Sequence, residues 1–446
     1  MSADHRGALR PGELRVVLLA GLYFFCLLAA YYALRPMRDA FGAENPYELH
    51  WLFTGTLVGT LVAQPIYGRL VSRRGRAAFI PIAYRFLMLN AVAFGLLLRG
   101  LEGEALLWAH RAYFVWLSLF SVFGVTVFWG FLADIMGSAR AKRLYGRIAM
   151  GGTLGAAAGA SLAGLWLEEL ESLVRGLGLE SWAEANVLLP LLSALLLEGA
   201  VRAARAVERA SLPAEPDDPG SGAEVPVGGS ALDGFRDVLR SRFLTSICAY
   251  VVLYVVGSTV LYFITSVVTS EAFETSEARA VFFGRMDLCV NVVALGFQLF
   301  LTGRVMQRMG LGLSLAAVPL IGLLGFSGIA VSPGLVVLGT LFVLRRGMEF
   351  GLSKPAREAL FTALPREEKY KAKAVVDTVV YRGGDAAAMW IQAGLTAVGV
   401  GAAGFAWGMV PLCGVALLIS VWLGRAHARL QREGQREPEG MRAASS

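Results

Sequence analysis

The stretch "VVLLAGLYFFCLLAAYYALRPMRDAFG", residues 16–42, decides the class of this chain. Residues 16–34 carry no charge, and the run then closes on Arg35, Arg38 and Asp39, with Pro36 between the arginines. About 20 apolar residues in a helix cross a hydrocarbon core roughly 30 Å thick. A soluble domain can bury one such segment but not a long succession of them, and they recur along all 446 residues. The chain is 56% hydrophobic and 17% charged, against roughly 25% charged in soluble domains. Its mean hydropathy is +0.58. Lipid offers no partner to open backbone, so an all-α integral membrane protein follows. The runs are continuously apolar rather than alternating, which excludes a barrel.

Apolar runs of helical length predict twelve spans: 14–34, 49–70, 78–98, 110–135, 147–167, 183–204, 242–268, 279–302, 311–331, 335–353, 374–398 and 403–424. Between the sixth and seventh lies "RAVERASLPAEPDDPGSGAEVPVGGSALDGFR", whose Pro, Gly and Asp content reads as a flexible linker. The expected organisation is an N-terminal six-helix half over 1–205, a cytoplasmic linker over 206–241, a C-terminal six-helix half over 242–430, and a disordered cytoplasmic tail over 431–446. The leading "MSADHRGALRPGELR" precedes a first span without a small-residue cleavage site, so no cleaved signal is expected.

The net charge of +7 does not point to nucleic acid. Most of the 41 Lys and Arg fall on one side, in alternate loops such as "RLVSRRGR", "RAKRLYGR" and "PREEKYKAK", at the linker ends and in the tail. With both termini in the cytoplasm this is the positive-inside pattern. It leaves Arg35 and Arg38 among the few cations on the far side. Cys26, Cys248, Cys289 and Cys413 lie inside apolar runs and read as small buried hydrophobes, without disulfide or metal spacing. Neither a catalytic dyad nor a phosphate-loop motif appears, so an enzyme, a resident cofactor and a metal are not expected.

"GRLVSRRG" from Gly68 and "GRVMQRMG" from Gly303 each follow the second span of their half. Gly151–Gly152 and Gly383–Gly384 recur in the fifth span of each half at nearly the same offset. Two landmarks at one offset point to internal duplication, a common plan for secondary transporters. In the first half, Gly151, Gly155 and Gly159 stand at four-residue steps, the spacing at which small residues let helices approach in lipid.

The charges inside spans point to a wet polar pathway, because ionisable groups at membrane depth are costly unless paired or hydrated. They are Arg85 and Asn90 in span three, Arg285, Asp287 and Asn291 in span eight, Arg345, Arg346 and Glu349 in span ten, and Asp377, Arg382 and Asp385 in span eleven. Arg345 and Glu349 stand one turn apart, as do Arg35 and Asp39, and each pair is expected to bond.

"GRLVSRRGR" resembles the loop between the second and third helices of the major facilitator superfamily. Gly68, Arg73, Gly75 and Arg76 match that motif, while Ser72 replaces its acid. The resemblance implies two pseudo-symmetric six-helix halves, with the first, fourth, seventh and tenth spans lining a cavity. "YYALRPMRDAFG" is similar to the end of the first helix in the nucleotide exchangers of plastids and obligate intracellular bacteria. Tyr32, Leu34, Arg35, Arg38 and Asp39 match, and the family's nucleotide-binding basic residue maps onto Arg38. "AYFVWLSLFSVFGVTVFWGFLADIM" and "RAKRLYGRIAMGGTLGA" also look like this branch.

The resulting expectation is a monomeric secondary transporter of the inner cell membrane, moving a nucleotide-like organic anion by exchange or ion coupling. Candidate substrate-binding residues are Arg35, Arg38, Asp39, Arg85, Arg111, Arg345, Arg346, Glu349 and Lys354, because arginines fork onto phosphate or carboxylate. Asp39 and Glu349 are expected to hold the arginines when the site is empty. Asp134, Asp287, Arg382 and Asp385 are candidates for coupling or gating, and Gly68, Arg73, Gly75 and Arg76 for a conformational loop. The alternative is a proton-coupled exporter of amphipathic small molecules, disfavoured by the buried arginines and by the missing Gly-Pro signature in span five.

Overall fold

The computed structural model describes residues 12–73, 76–179, 184–210, 238, 240–364, 372, 373 and 375–443. Among them the backbone is helical almost throughout and holds no strand. Helix α1 (Glu13–Gly42) is followed by α2 (Leu49–Arg73), α3 (Arg76–Gly100), α4 (Gly103–Gly164), α5 (Leu167–Gly176) and α6 (Ala185–Ala210). The later helices are α7 (Arg242–Ala272), α8 (Ser276–Gly296), α9 (Thr302–Val331), α10 (Leu335–Met348), α11 (Lys354–Leu360), α12 (Tyr381–Ala397) and α13 (Ala402–Ala443). Wide π turns join α8 to α9 (Phe297–Leu301) and α10 to α11 (Glu349–Ser353), and a third precedes α12 (Val375–Val380).

Two compact units form: unit 1 from Met1–Pro46, Thr54–Val225 and Thr269–Asn291, and unit 2 from Tyr47–Phe53, Pro226–Val268 and Val292–Ser446. Unit 1 thus takes in the first part of α8. In unit 1, α1 is the central strut. Tyr23 meets Phe128 at 4.8 Å and Phe131 at 5.8 Å, Tyr31 meets Phe120 at 5.8 Å, and the Tyr113 hydroxyl donates to the Leu34 carbonyl at 3.2 Å. That stretch of α4 runs antiparallel to α1. Farther along α4 the order inverts. Gly151, Gly155 and Gly159 press on the backbone of Gly21, Phe25 and Ala29, so close that a methyl group would lie 2.4, 2.2 and 2.3 Å from their carbonyl oxygens. Helical backbone that runs along α1 in both directions must turn back between Phe131 and Gly151, so α4 makes two passes. The glycine spacing read as helix packing is observed as such, with α1 as the partner.

In unit 2, α9 meets α13 where a methyl on Gly424 would lie 2.5 Å from the Gly312 Cα, and the Tyr250 hydroxyl donates to the Leu315 carbonyl at 3.1 Å. Gly310 breaks the helical course of α9 at φ +77°, a left-handed conformation that glycine adopts without a Cβ penalty.

Seven helices among the described residues are long and apolar enough to cross a membrane, or eight if the bent pair Leu144–Gly164 and Leu167–Gly176 forms one span. One of the seven, Ser276–Val331, has 56 residues and contains the Gly310 break, room for two passes at 1.5 Å per residue. The runs that hold α10 and α12 are not among the seven, and they are the ones that carry Arg345, Arg346 and Glu349, and Asp377, Arg382 and Asp385. Outward-facing Leu89, Leu195, Phe300, Val336 and Leu418 are exposed, which suits hydrocarbon and not water. The helical backbone of α13 continues to Ala443, beyond the residue 431 at which the sequence reading places a disordered tail. The linker lies largely outside the described residues.

Candidate functional site

α1 does not stop at residue 34. It runs through Pro36 to Gly42, at the loss of the one hydrogen bond that Pro36 cannot donate. Arg35, Arg38 and Asp39 therefore share a helical face at three- and four-residue spacing, rather than following a helix end. Arg35 is buried; its Nη1 donates to Asp287 Oδ1 of α8 at 2.9 Å, and its Nη2 lies 3.5 Å from Asp39 Oδ2. The Arg38 Nε donates to Asp39 Oδ1 at 2.9 Å, its Nη1 reaches Ser118 Oγ at 3.5 Å, and its guanidinium lies 5.0 Å from the centre of the Phe114 ring. Arg35 lies 5.4 Å from the Tyr32 ring centre. Asn291 donates to the Asp287 carbonyl at 2.8 Å, one turn back on its own helix. Two guanidinium groups and two carboxylates thus form one charge-balanced cluster at the heart of unit 1. Burial strengthens each pairing, and it makes removal of any partner costly.

Unit 2 carries a second arginine cluster with a different balance. Arg345 of α10 is buried; its Nη1 donates to Ser258 Oγ at 2.7 Å and its Nη2 to the Tyr254 carbonyl at 2.8 Å. It also lies over the Tyr254 ring at 5.0 Å. Glu349 does not bond Arg345, contrary to the four-residue spacing. Its Oε1 instead accepts from Arg357 Nη1 at 3.3 Å. The physical reason is the π turn at Glu349–Ser353, where the Lys354 N–H bonds the Glu349 carbonyl five residues back. One extra residue in that turn brings position 357 back beneath position 349, and Arg345 turns to neutral oxygens on α7. Tyr250 and Ser353 share a hydrogen bond of 2.8 Å beside the turn.

Of the other candidates, Asp385 adjoins the second cluster, through Thr259 beside the Ser258 that Arg345 bonds. Arg85 is exposed and bonds Glu198 at 3.3 Å on α6. Arg111 stacks on the exposed Trp108 at 4.6 Å. Arg346 lies over Phe342 at 4.9 Å and Phe350 at 5.7 Å. Lys354 is exposed and Arg382 half-buried. Asp385 accepts from Thr259 Oγ1 at 3.0 Å. Gly75 lies outside the described residues, as do the side-chain surroundings of Gly68, Arg73, Arg76 and Asp134. No group of three or more His, Cys, Asp or Glu that could hold a metal occurs among the described residues.

The family model described as TLC ATP/ADP transporter matches residues 90–432. This chain belongs to the TLC ATP/ADP transporter family. The family is one of transporters and not of enzymes. A relative named ADP,ATP carrier protein 1, from Chlamydia trachomatis serovar D, is 27% identical over 93% of this chain and 88% of its own length. Its namesake from Chlamydia muridarum is 26% identical over the same shares. Among solved structures, the Escherichia coli fucose:proton symporter FucP superposes with a TM-score of 0.56 at 14% identity, covering 94% of this chain and 99% of that one. The fold is therefore that of the major facilitator transporters, and this TLC family member is a multi-pass secondary transporter.

Sequence reading of this TLC transporter missed Arg357, because "KPAREAL" follows the last apolar residue of span ten and reads as a cytoplasmic loop. It also missed Ser118, whose one signal is a hydroxyl in the apolar run "VWLSLF". His110, the first residue of the expected fourth span, bonds Glu44 at 2.7 Å and stacks on Phe41 at 3.8 Å, and Glu44 also accepts from Ser276 Oγ. A histidine far in sequence from its carboxylate leaves no spacing signal.

Proposed function

We propose that this protein exchanges adenine-type nucleotides across the inner cell membrane by alternating access, as a monomer with both termini in the cytoplasm. The observation that carries the reading is the Arg35–Arg38–Asp39–Asp287 cluster at the first-helix motif that resembles the nucleotide exchangers. Arg38 is the anion's first contact. It is the more accessible arginine of the pair, with 14% of its side chain exposed against 5% for Arg35. An incoming phosphate competes with Asp39 for its guanidinium, while Arg35 stays anchored by Asp287. The names of the chlamydial relatives support ATP and ADP as the first substrates to try.

A ligand that binds the folded state raises its melting temperature by mass action. Purified protein is screened with ATP, ADP, other nucleotides, organic phosphates and dicarboxylates. ATP and ADP are expected to raise the melting temperature in a concentration-dependent way, and Arg38→Gln to abolish that rise. A rise with dicarboxylates alone would refute the nucleotide reading.

A further inference from the structure

We infer that Arg345 and Arg357, which both lie over the Tyr254 ring, form a second phosphate seat in unit 2, and that Glu349 occupies it in the absence of ligand. The inference deepens the nucleotide reading and rests on it only for the source of the phosphates. Four observations carry it. First, both guanidinium groups lie on one ring, Arg345 at 5.0 Å and Arg357 at 5.8 Å from the Tyr254 centre. Second, Arg345 is 4% exposed, yet its hydrogen bonds go to a hydroxyl and a carbonyl. Among the described residues no carboxylate reaches it. A buried guanidinium without a counter-ion is costly, and a bound anion removes that cost. Third, Glu349 is 2% exposed and holds Arg357 through one oxygen at 3.3 Å, while its buried Oε2 has no hydrogen-bond partner. A carboxylate bonded through one oxygen is easily displaced by a phosphate, which presents several acceptors and suits the guanidinium fork. Fourth, the π turn Glu349–Ser353 makes the arrangement, and such turns frequently mark functional sites.

The charges differ from those of the unit 1 cluster. There two carboxylates balance two arginines. In the seat, Glu349 is the one carboxylate among the described residues that bonds either arginine, and it bonds Arg357 alone, which leaves Arg345 for a polyphosphate chain. Gly257 lets Arg345 approach α7 closely, since a methyl there would lie 3.0 Å from Arg345 Nη2.

The test is titration of the purified full-length protein with inorganic triphosphate, with ATP as competitor. The expected result is saturable triphosphate binding that ATP displaces. Arg345→Gln and Arg357→Gln should each weaken it about 10- to 100-fold, the worth of a charge-assisted contact. Arg357→Lys should weaken it less than Arg357→Gln, because lysine keeps the charge and loses the fork. Glu349→Gln should tighten it. Triphosphate binding unchanged in both arginine-to-glutamine variants would overturn the inference. So would a Glu349→Gln protein that binds as weakly as Arg357→Gln while melting at the wild-type temperature. Triphosphate binding with the expected pattern but no competition by ATP would uphold the seat and overturn the nucleotide reading.

Discussion

The close seam between α1 and α4 makes a sharp prediction about two glycines on the same helix. A methyl group on Gly155 would lie 2.2 Å from the Phe25 carbonyl oxygen and 2.7 Å from its Cα. Close carbon–oxygen contacts settle near 3.3 Å, so Gly155→Ala must part the helices by roughly 1 Å. Forcing a methyl group into a packed seam costs ~1–3 kcal/mol. Gly130, also on α4, has open space where its Cβ would stand. Alanine there gains ~0.5–1 kcal/mol from backbone entropy alone. The two substitutions should therefore differ by ~2–4 kcal/mol with opposite signs. With unfolding entropy near 2.1 cal/mol/K per residue, that gap is about 2–4 °C in melting temperature for a chain of this length. The assay is thermal unfolding of the two purified variants beside the wild type, followed by intrinsic fluorescence. Gly155→Ala should melt lower and Gly130→Ala higher. Equal shifts in one direction would refute the seam.

Two further outcomes follow from the charges. Asp287→Ala leaves the buried Arg35 with Asp39 at 3.5 Å and should destabilise the protein by ~3–5 kcal/mol; the double variant Arg35→Leu, Asp287→Leu should recover part of that loss, read from the same melting curves. Glu171 lies in α5, in the segment between the fifth and sixth passes, and its carboxyl is pushed up to about 7 by burial and by the neighbouring Glu277, against the pull of Arg175. A carboxyl whose folded pKa lies above the unfolded one stabilises the fold below the unfolded value, near 4.5, and that contribution is lost as pH rises through about 7. The melting temperature should accordingly fall between pH 5 and pH 8, and Glu277→Gln should flatten the fall.

Much of the fold was legible because its signals are local. Apolar run length marks the passes, and Gly151, Gly155 and Gly159 announce close packing without saying that α1 is the partner. The Arg35–Asp39 contact was legible for the same reason, since one helical turn separates the two residues. Asp287 was visible as a buried charge, but its partner stands 252 positions away, a distance that helical periodicity cannot bridge. The Arg345–Glu349 pairing failed for a specific reason. Spacing arguments assume 3.6 residues per turn, and the π turn at Glu349 breaks that assumption where the cluster forms. Arg357 was hidden by the same irregularity, and Pro36 hid the continuation of α1 by imitating a helix end.

The central claim is nucleotide exchange that depends on the first-helix cluster. The most direct measurement is uptake of labelled ATP into liposomes that contain the purified protein and are preloaded with ADP. The account predicts saturable uptake that requires internal ADP. It also predicts loss of most uptake in Arg38→Gln and near-normal uptake in Arg85→Gln, whose partner Glu198 lies outside the cluster. Uptake that is absent, or equally strong in Arg38→Gln and the wild type, would contradict it.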